Sequence, residues 1–568
     1  MDDHVVQPLL ARTADAVSEA IGRVRPDSAG ADPVVRRSGH ADFQSNAALA
    51  LGRRLGVAPA ALAGEIAGSV TGVRAEVSGP GFLNLTLPDR VIWEQVSARG
   101  GPRLGIGRPE RGRKVVVDYS APNIAKEMHV GHLRTTIIGD SLARVLGFLG
   151  ADVVRQNHLG DWGTQFGMLI QHLWEHPGGS AVTALDDRYR AARAEFDADP
   201  AFAARARARV VALQAGEPET VAAWRGIVAE SERAFRVLYD RLGVLLTPED
   251  SVGESFYNPV LPDVVAELRA AGIAVDSDDA VVVFSQEVTG PEGAPVPLMV
   301  RKSDGGYGYD TTDLATIRHR IRELGAQRLV YVTDSRQALH FRLVFETARR
   351  AGWLTDDVTA EHVAYGTVLG PDGRPFKTRA GGAVRLSDLL DDAVARARAV
   401  VAEKNPGLDP AELDRIAEQA GIGAVKYADL STSRAKDYAF NVERMVSFTG
   451  NTGVYLQYAH ARICSILRGA SGATAVADVP LEPAERALAL ALDGYGGVLA
   501  EVAETLEPHR LCGYLYDLAR AFTGFYEACP VLRAAEPVRG NRLALCRLTA
   551  RTLGHGLGLL GIAAPERM

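Results

Sequence analysis

The chain has 568 residues, 47% hydrophobic and 23% charged, with a formal net charge of −7 at pH 7. That length is too great for one hydrophobic core, so three or four domains are expected of an otherwise ordinary globular composition. No apolar run approaches the roughly 20 residues of a membrane span, and the acidic start MDDHVVQPLL does not read as a secretory leader, so the expected place is the cytoplasm.

Residues 1–110 read as a small α+β module. Amphipathic stretches near Leu9–Ile21 and Asn46–Leu55 precede Val70–Leu87, where Leu83, Leu85 and Leu87 alternate with polar residues after the turn Gly79-Pro80-Gly81. A Gly- and Pro-rich linker follows, from Gly100 to Gly112. Then comes VVVDYSAPNIAKEMHVGHLRTTII, from Val115 to Ile138. Three β-branched valines predict a buried parallel strand, closed by Asp118. Pro122 turns the chain, and the apolar spacing from Leu133 to Leu149 predicts a helix beginning at His129. Strand, loop and helix N-terminus make the phosphate-facing corner of a doubly wound α/β sheet.

His129 and His132 lie three apart in the first predicted turn and can face one ligand, and Gly131 leaves room for close approach to the backbone. Chance predicts about 0.03 occurrences of His-x-Gly-His in this composition. A metal pair is disfavoured, because no carboxylate or cysteine stands at ligand spacing on that helix. A nucleotide site is the better explanation of the two histidines, against a pair of surface histidines at a helix start.

A second strand is expected at Asp152–Gln156, running into Gly160-Asp161-Trp162-Gly163. Between about 175 and 295 the texture is helical and charged, as in an insertion, with Ala274–Phe284 strand-like. The sheet resumes at Leu329–Thr333 and then His362–Val368. The Gly370–Gly382 loop carries four glycines and three cations, a pattern suited equally to closing over polyphosphate and to a solvated surface loop. After 385 the chain turns helical. Leu488 to Leu506 and Leu511 to Phe525 each keep a 3–4 spacing, with Pro508 between them, which predicts a helical bundle. The four cysteines, all in the last fifth, form no C-x-x-C pair and read as free thiols in a reducing compartment.

SAPNIAKEMHVGH resembles the signature of class I aminoacyl-tRNA synthetases, and its surroundings resemble the bacterial arginyl-tRNA synthetases. So do GDWGTQFG at Gly160–Gly167, DGGYGYDTTDLA at Asp304–Ala315, DSRQALH at Asp334–His340, PFKTRAGG at Pro375–Gly382, VKYADLS at Val425–Ser431 and GNTGVYLQYAHAR at Gly450–Arg462. The resemblance spans nearly the whole chain. It implies an N-terminal appended domain (1–110) that meets the tRNA elbow and a Rossmann-like catalytic domain (111–385) with an insertion at about 175–295. A connecting helical region (386–440) and an α-helical anticodon-binding bundle (441–568) would follow.

The same resemblance implies arginine–tRNA ligase activity with ATP, Mg²⁺ accompanying ATP rather than a dedicated metal site, tRNA(Arg) as partner, and a monomer without membrane contact. ATP contacts are implied at Pro122, Met128, His129, Gly131, His132, Phe376 and Lys377. Arginine contacts are implied at Asp118, Ser120, Asn123, Tyr309, Asp313 and Gln337. Read physically, Asp118 and Asp313 are acids at predicted sheet edges, suited to a guanidinium, whereas otherwise they would be a turn residue and a helix cap. Catalytic roles fall to Lys126, His129, His132, Lys377 and Arg379. The loop departs from the usual lysine-rich form, with Thr378 where many relatives carry lysine, and Lys126 is then the cation placed to substitute. Alternatives are a duplicated synthetase with a resistance or biosynthetic role, a small-molecule nucleotidyltransferase, and a non-catalytic RNA-binding paralogue. The last would have eroded His129, His132 or Lys377.

Overall fold

The computed structural model describes residues 5–177, 182–291, 293–370, 372–374, 376, 384–470, 476 and 478–568. At its centre is a five-stranded parallel sheet of β1 (Lys114–Asp118), β2 (Asp152–Leu159), β3 (Ser251–Gly253), β4 (Arg328–Tyr331) and β5 (Thr359–His362), in the order β5-β4-β1-β2-β3. Val115, Val116 and Val117 are fully buried, as a central strand covered on both faces requires. The chain winds outward from β1 in one direction through β2 and β3, and in the other through β4 and β5. The switch therefore lies between β1 and β4, where Tyr331 pairs with Asp118, and ligands bind outside such a crevice.

Helix α1 (Gly131–Phe148) follows β1 and packs so closely on it that a Cβ on Gly139 would lie 2.2 Å from that of Tyr119. The helix starts two residues after the expected His129. The second strand runs three residues past Gln156, to Leu159. The fifth strand ends at His362, where it was expected to begin; beyond it Tyr365 makes a single parallel bridge to Asp334, and Val368–Leu369 pairs with Tyr438–Ala439.

The expected insertion is not one block. Helices α2 (Thr164–Glu175), α3 (Val182–Ala198), α4 (Pro200–Gln214) and α5 (Pro218–Leu242) come first. The chain then rejoins the sheet as β3 before leaving again into an antiparallel sheet of Val275–Ser277, Ala280–Thr289 and Pro295–Arg301. A three-residue strand is too short to announce itself by periodicity. Helices α6 (Tyr309–Arg322) and α7 (Ala338–Arg350) flank β4 in the chain.

The N-terminal unit is a four-stranded antiparallel sheet with helices, and Leu83 and Leu85 point into its core as their alternation predicted. Past the antiparallel helices Leu386–Lys404 and Pro410–Leu430 lies a bundle, of five helices among the described residues, between Gly453 and Leu559. The apolar stripe from Leu488 to Leu506 is two helices rather than one, since the chain breaks at Gly494 between Pro483–Asp493 and Tyr495–Thr505. Asp493, just before that break, accepts hydrogen bonds from the Leu9 N–H, Gln95 and Arg99, and so ties the first unit to the last. Cys512, Cys529 and Cys546 are buried and Cys464 is half-buried, all as free thiols. Among the described residues no helix is long and apolar enough to cross a membrane.

Candidate active site

The loop after β1 is the most constrained backbone in the catalytic domain. Ser120, Ala121 and Ala125 have φ of 73°, 47° and 63°, left-handed values that side chains with a Cβ resist. Three elements hold them there. Thr135 Oγ1 of α1 accepts from the Ser120 N–H at 3.0 Å, Asn157 Oδ1 of β2 from Ala121 at 2.9 Å, and Ser231 Oγ of α5 from Ala125 at 3.0 Å. Pro122 and Met128 are buried within this corner, while Asn123 is exposed and bridges to Gly160 at the end of β2.

At the start of α1 the two imidazoles lie 4.0 Å apart. His129 Nδ1 accepts from the Gly131 N–H at 3.0 Å, and His132 Nδ1 accepts from the His129 N–H at 3.1 Å. With both Nδ1 atoms accepting, each neutral ring carries its proton on Nε2 as a donor. Burial lowers the pKa of both rings, and in His132 burial followed by the neighbouring His129 takes it to about 3. The pair is therefore uncharged at pH 7, presenting two N–H donors beside a helix N-terminus, a suitable setting for phosphate oxygen. Gly131 serves His129 directly, since a Cβ there would come within 2.7 Å of that ring.

Lys126 Nζ stands 5.0 Å from the centre of the Tyr189 ring on α3 and acts electrostatically on both imidazoles. It is not tied to Glu127, which pairs with Arg385 at 2.5 Å. The expected cations Lys377 and Arg379, with Thr378 between them, lie outside the described residues. Phe376, beside them, stacks on Phe440 with ring centres 5.4 Å apart.

Two residues expected to meet a substrate are engaged within the protein. Asp118 accepts from Arg320 at 2.7 Å, and Arg320 also donates to Gln156 at 2.6 Å. Both partners are buried, and although burial opposes charge on Arg320, the Asp118 carboxylate more than restores it. Asp118, expected as a ligand for arginine, thus has its Oδ2 held by the chain's own guanidinium. The Ser120 hydroxyl is likewise shared with Thr136 and Tyr239, at 2.9 and 2.7 Å.

Asp313 is differently placed. It sits one turn after Tyr309, whose ring is largely exposed, at the start of α6. His340 of α7 donates from Nε2 to Asp313 at 2.5 Å and from Nδ1 to Asp310 at 3.0 Å. Burial disfavours its charge, but these two hydrogen bonds outweigh burial and raise its pKa to about 9. Gln337 is exposed in the turn Ser335–Gln337 that leads into α7.

A cleft of about 610 Å³ opens here, lined by Trp162, Gln165, Glu254, Lys302, Tyr309 and Thr312 among others. Glu254 follows directly on β3, and burial, then Asp313 and Asp161, raise its pKa to about 7. Asp161 reaches over the end of β3 to accept from the Ser255 N–H and hydroxyl, filling the place a Cβ on Gly253 would need. Glu254 was not singled out from the sequence; the glycine that ends a strand before it is the only signal, and that strand is too short to recognise. A second cleft of the same volume lies at the amino ends of β1, β4 and β5, lined by Arg113, Arg328, Thr359 and Glu361, on the edge opposite the signature loop.

This doubly wound sheet, with two neutral imidazoles and a strained loop at its carboxyl edge, is the catalytic fold of a class I aminoacyl-tRNA synthetase. A family model described as tRNA synthetases class I (R), catalytic domain, matches residues 103–442. Models described as Arginyl tRNA synthetase N terminal domain and DALR anticodon binding domain match 11–87 and 456–568. The arginine–tRNA ligase of Frankia casuarinae is 70% identical across 100% of both chains, and that of Streptomyces avermitilis is 52% identical across 98% of each. Among solved structures, the arginyl-tRNA synthetase of Plasmodium falciparum superposes with a TM-score of 0.84 at 29% identity, covering 99% of this chain and 100% of its own. That of Thermus thermophilus gives 0.79 at 27%, with the same coverage. The chain belongs to the arginyl-tRNA synthetase family.

Proposed function

We propose that this arginine–tRNA ligase recognises its amino acid through an acidic corner built by Asp313 and Glu254, with Tyr309 beside it, rather than through Asp118. Asp313 keeps one carboxylate oxygen beyond that engaged by His340. Glu254 is held near half-protonation at neutral pH by burial first and then by its acidic neighbours, and a guanidinium relieves that repulsion. Asn123 and Gln337, exposed on the two loops nearby, are left to meet the α-amino and carboxylate groups.

In the first step the arginine carboxylate attacks the α-phosphate of ATP, forming arginyl-adenylate and releasing pyrophosphate. In the second, a ribose hydroxyl at the 3′ end of tRNA(Arg) attacks the carbonyl and releases AMP. His129 and His132 donate from Nε2 to phosphate oxygens, with Pro122, Met128, Gly131 and Phe376 forming the surrounding wall. Lys126, Lys377 and Arg379 stabilise the charge that develops on the leaving group, the main help such a transfer needs. The acids that act on the imidazoles or adjoin them, Asp186 and Glu127, are paired with Arg190 and Arg385. Among the described residues these acids are already engaged, which supports the reading that Mg²⁺ enters with ATP.

The division into 1–110, 111–385, 386–440 and 441–568 assigns the first unit to the tRNA elbow and the last to the anticodon. The enzyme is proposed to act as a monomer in the cytoplasm. One observation carries the reading: Asp313 acts electrostatically on Glu254, directly after β3, and on Tyr331, at the end of β4, so the acids gather at the edge that bears the signature loop. Pyrophosphate exchange with each amino acid, with and without tRNA(Arg), tests it. Exchange with arginine that depends on tRNA supports the assignment, and exchange with another amino acid removes it.

A further inference from the structure

The insertion carries a cluster that this chemistry does not use. His172 lies in the last turn of α2, and His176 caps that helix four residues on, so the two rings share a face, 4.6 Å apart. From α3, Glu195 brings a single oxygen, Oε2, to 2.8 Å from His172 Nδ1 and 3.4 Å from His176 Nε2. One ligand atom from each of the three lies within 4.8 Å of the others.

Zinc bonds of about 2.0–2.2 Å to nitrogen and oxygen set tetrahedral neighbours roughly 3.3 Å apart, and the two observed separations bracket that distance. We propose that His172, His176 and Glu195 form a binding site for a divalent transition metal of the Zn²⁺ class, with water completing the coordination. Two imidazoles and one carboxylate suit Zn²⁺, Ni²⁺ or Co²⁺ and do not suit Mg²⁺ or Ca²⁺, whose preference is all oxygen. The nearby cation Arg205 is engaged, donating to both oxygens of Glu175 at 2.7 and 3.0 Å.

The position gives the ion something to do. Beneath it lies a small separate core of Met168, Ala192, Phe202 and Ala206, with the Phe202 ring edge-on to His172. A metal joining α2 to α3 beside this small core, on which Tyr189 and Phe196 also pack, acts as a staple.

The test uses full-length protein stripped of metal with a chelator. Calorimetric titration with Zn²⁺ is expected to show one saturable site and a raised Tm. His172→Asn and His176→Asn are each expected to weaken binding by about tenfold or more, and the double variant to abolish it. Cys464, whose sulfur lies 3.7 Å from His460 Nε2, is another place zinc could choose, so Cys464→Ser should bind as the parent does. Co²⁺ in unaltered protein should give a ligand-field spectrum of nitrogen and oxygen donors. The proposal is overturned by no saturable binding up to about 100 µM Zn²⁺, by binding that survives in the double variant or fails in Cys464→Ser, or by a thiolate charge-transfer band with Co²⁺.

Discussion

Arg320 reaches from α6 to the end of β1 and donates to Asp118 across 2.7 Å, both side chains buried. A protein that must recognise free arginine therefore spends one of its two expected carboxylates on an arginine of its own. Removing one partner of such a pair leaves a buried, uncompensated charge and costs about 3–5 kcal/mol. Arg320→Met should lower Tm markedly, and Asp118→Asn should do so too. The double variant should fall short of the sum, which thermal unfolding of the three proteins will show. Additive losses would mean that the pair is not coupled.

His340 gives a pH dependence whose sign is fixed. Its folded pKa of about 9 stands above the unfolded value of about 6.5. The extra stability is therefore complete below about pH 6.5 and is lost as pH rises through about 9, amounting to about 3 kcal/mol at most. Urea unfolding of the parent and His340→Asn at intervals from pH 6 to 10 checks this. The gap between them should shrink with rising pH, and a gap that widens would contradict the assignment of an imidazolium.

Lys126 faces Tyr189 and is free of Glu127. If it supplies charge to departing pyrophosphate, Lys126→Met should lower kcat about a hundredfold with little change in the arginine KM. Thr378→Lys in that background should recover part of the loss. Steady-state charging kinetics decide the matter, and near-normal turnover in Lys126→Met would leave Lys377 and Arg379 as the cations.

Glu254, with a pKa of about 7, should release a proton when a guanidinium arrives. Arginine binding at pH 7, measured by calorimetry in buffers of different ionisation enthalpy, should show net proton release that disappears in Glu254→Gln. Equal heats in all buffers would place Glu254 outside the arginine pocket.

Much of this was legible in the residues. Val115–Val117, the turn at Pro122 and the stripe after Leu133 specify strand, loop and helix by local periodicity, and they formed nearly where expected. Tertiary choices were not legible. Nothing local in Asp118 says that Arg320, 202 residues later, will claim it. Strand β3 is three residues long and carries no period, so Glu254 stayed hidden behind it. Gly494 splits a stripe whose 3–4 spacing continues on both sides, and spacing alone does not register a break that keeps its phase. The metal cluster depends on Glu195 folding back from a second helix, a contact no spacing within α2 contains.

The claim that Asp313, and not Asp118, reads the guanidinium is tested most directly by the arginine KM of tRNA charging in Asp313→Asn and Asp118→Asn. Loss of a charge-assisted hydrogen bond at Asp313 should raise KM about tenfold to a hundredfold while the ATP KM barely moves. Asp118→Asn, assayed well below its lowered Tm, should show a much smaller rise. An unchanged arginine KM in Asp313→Asn, or a larger rise in Asp118→Asn, would contradict this account of the pocket.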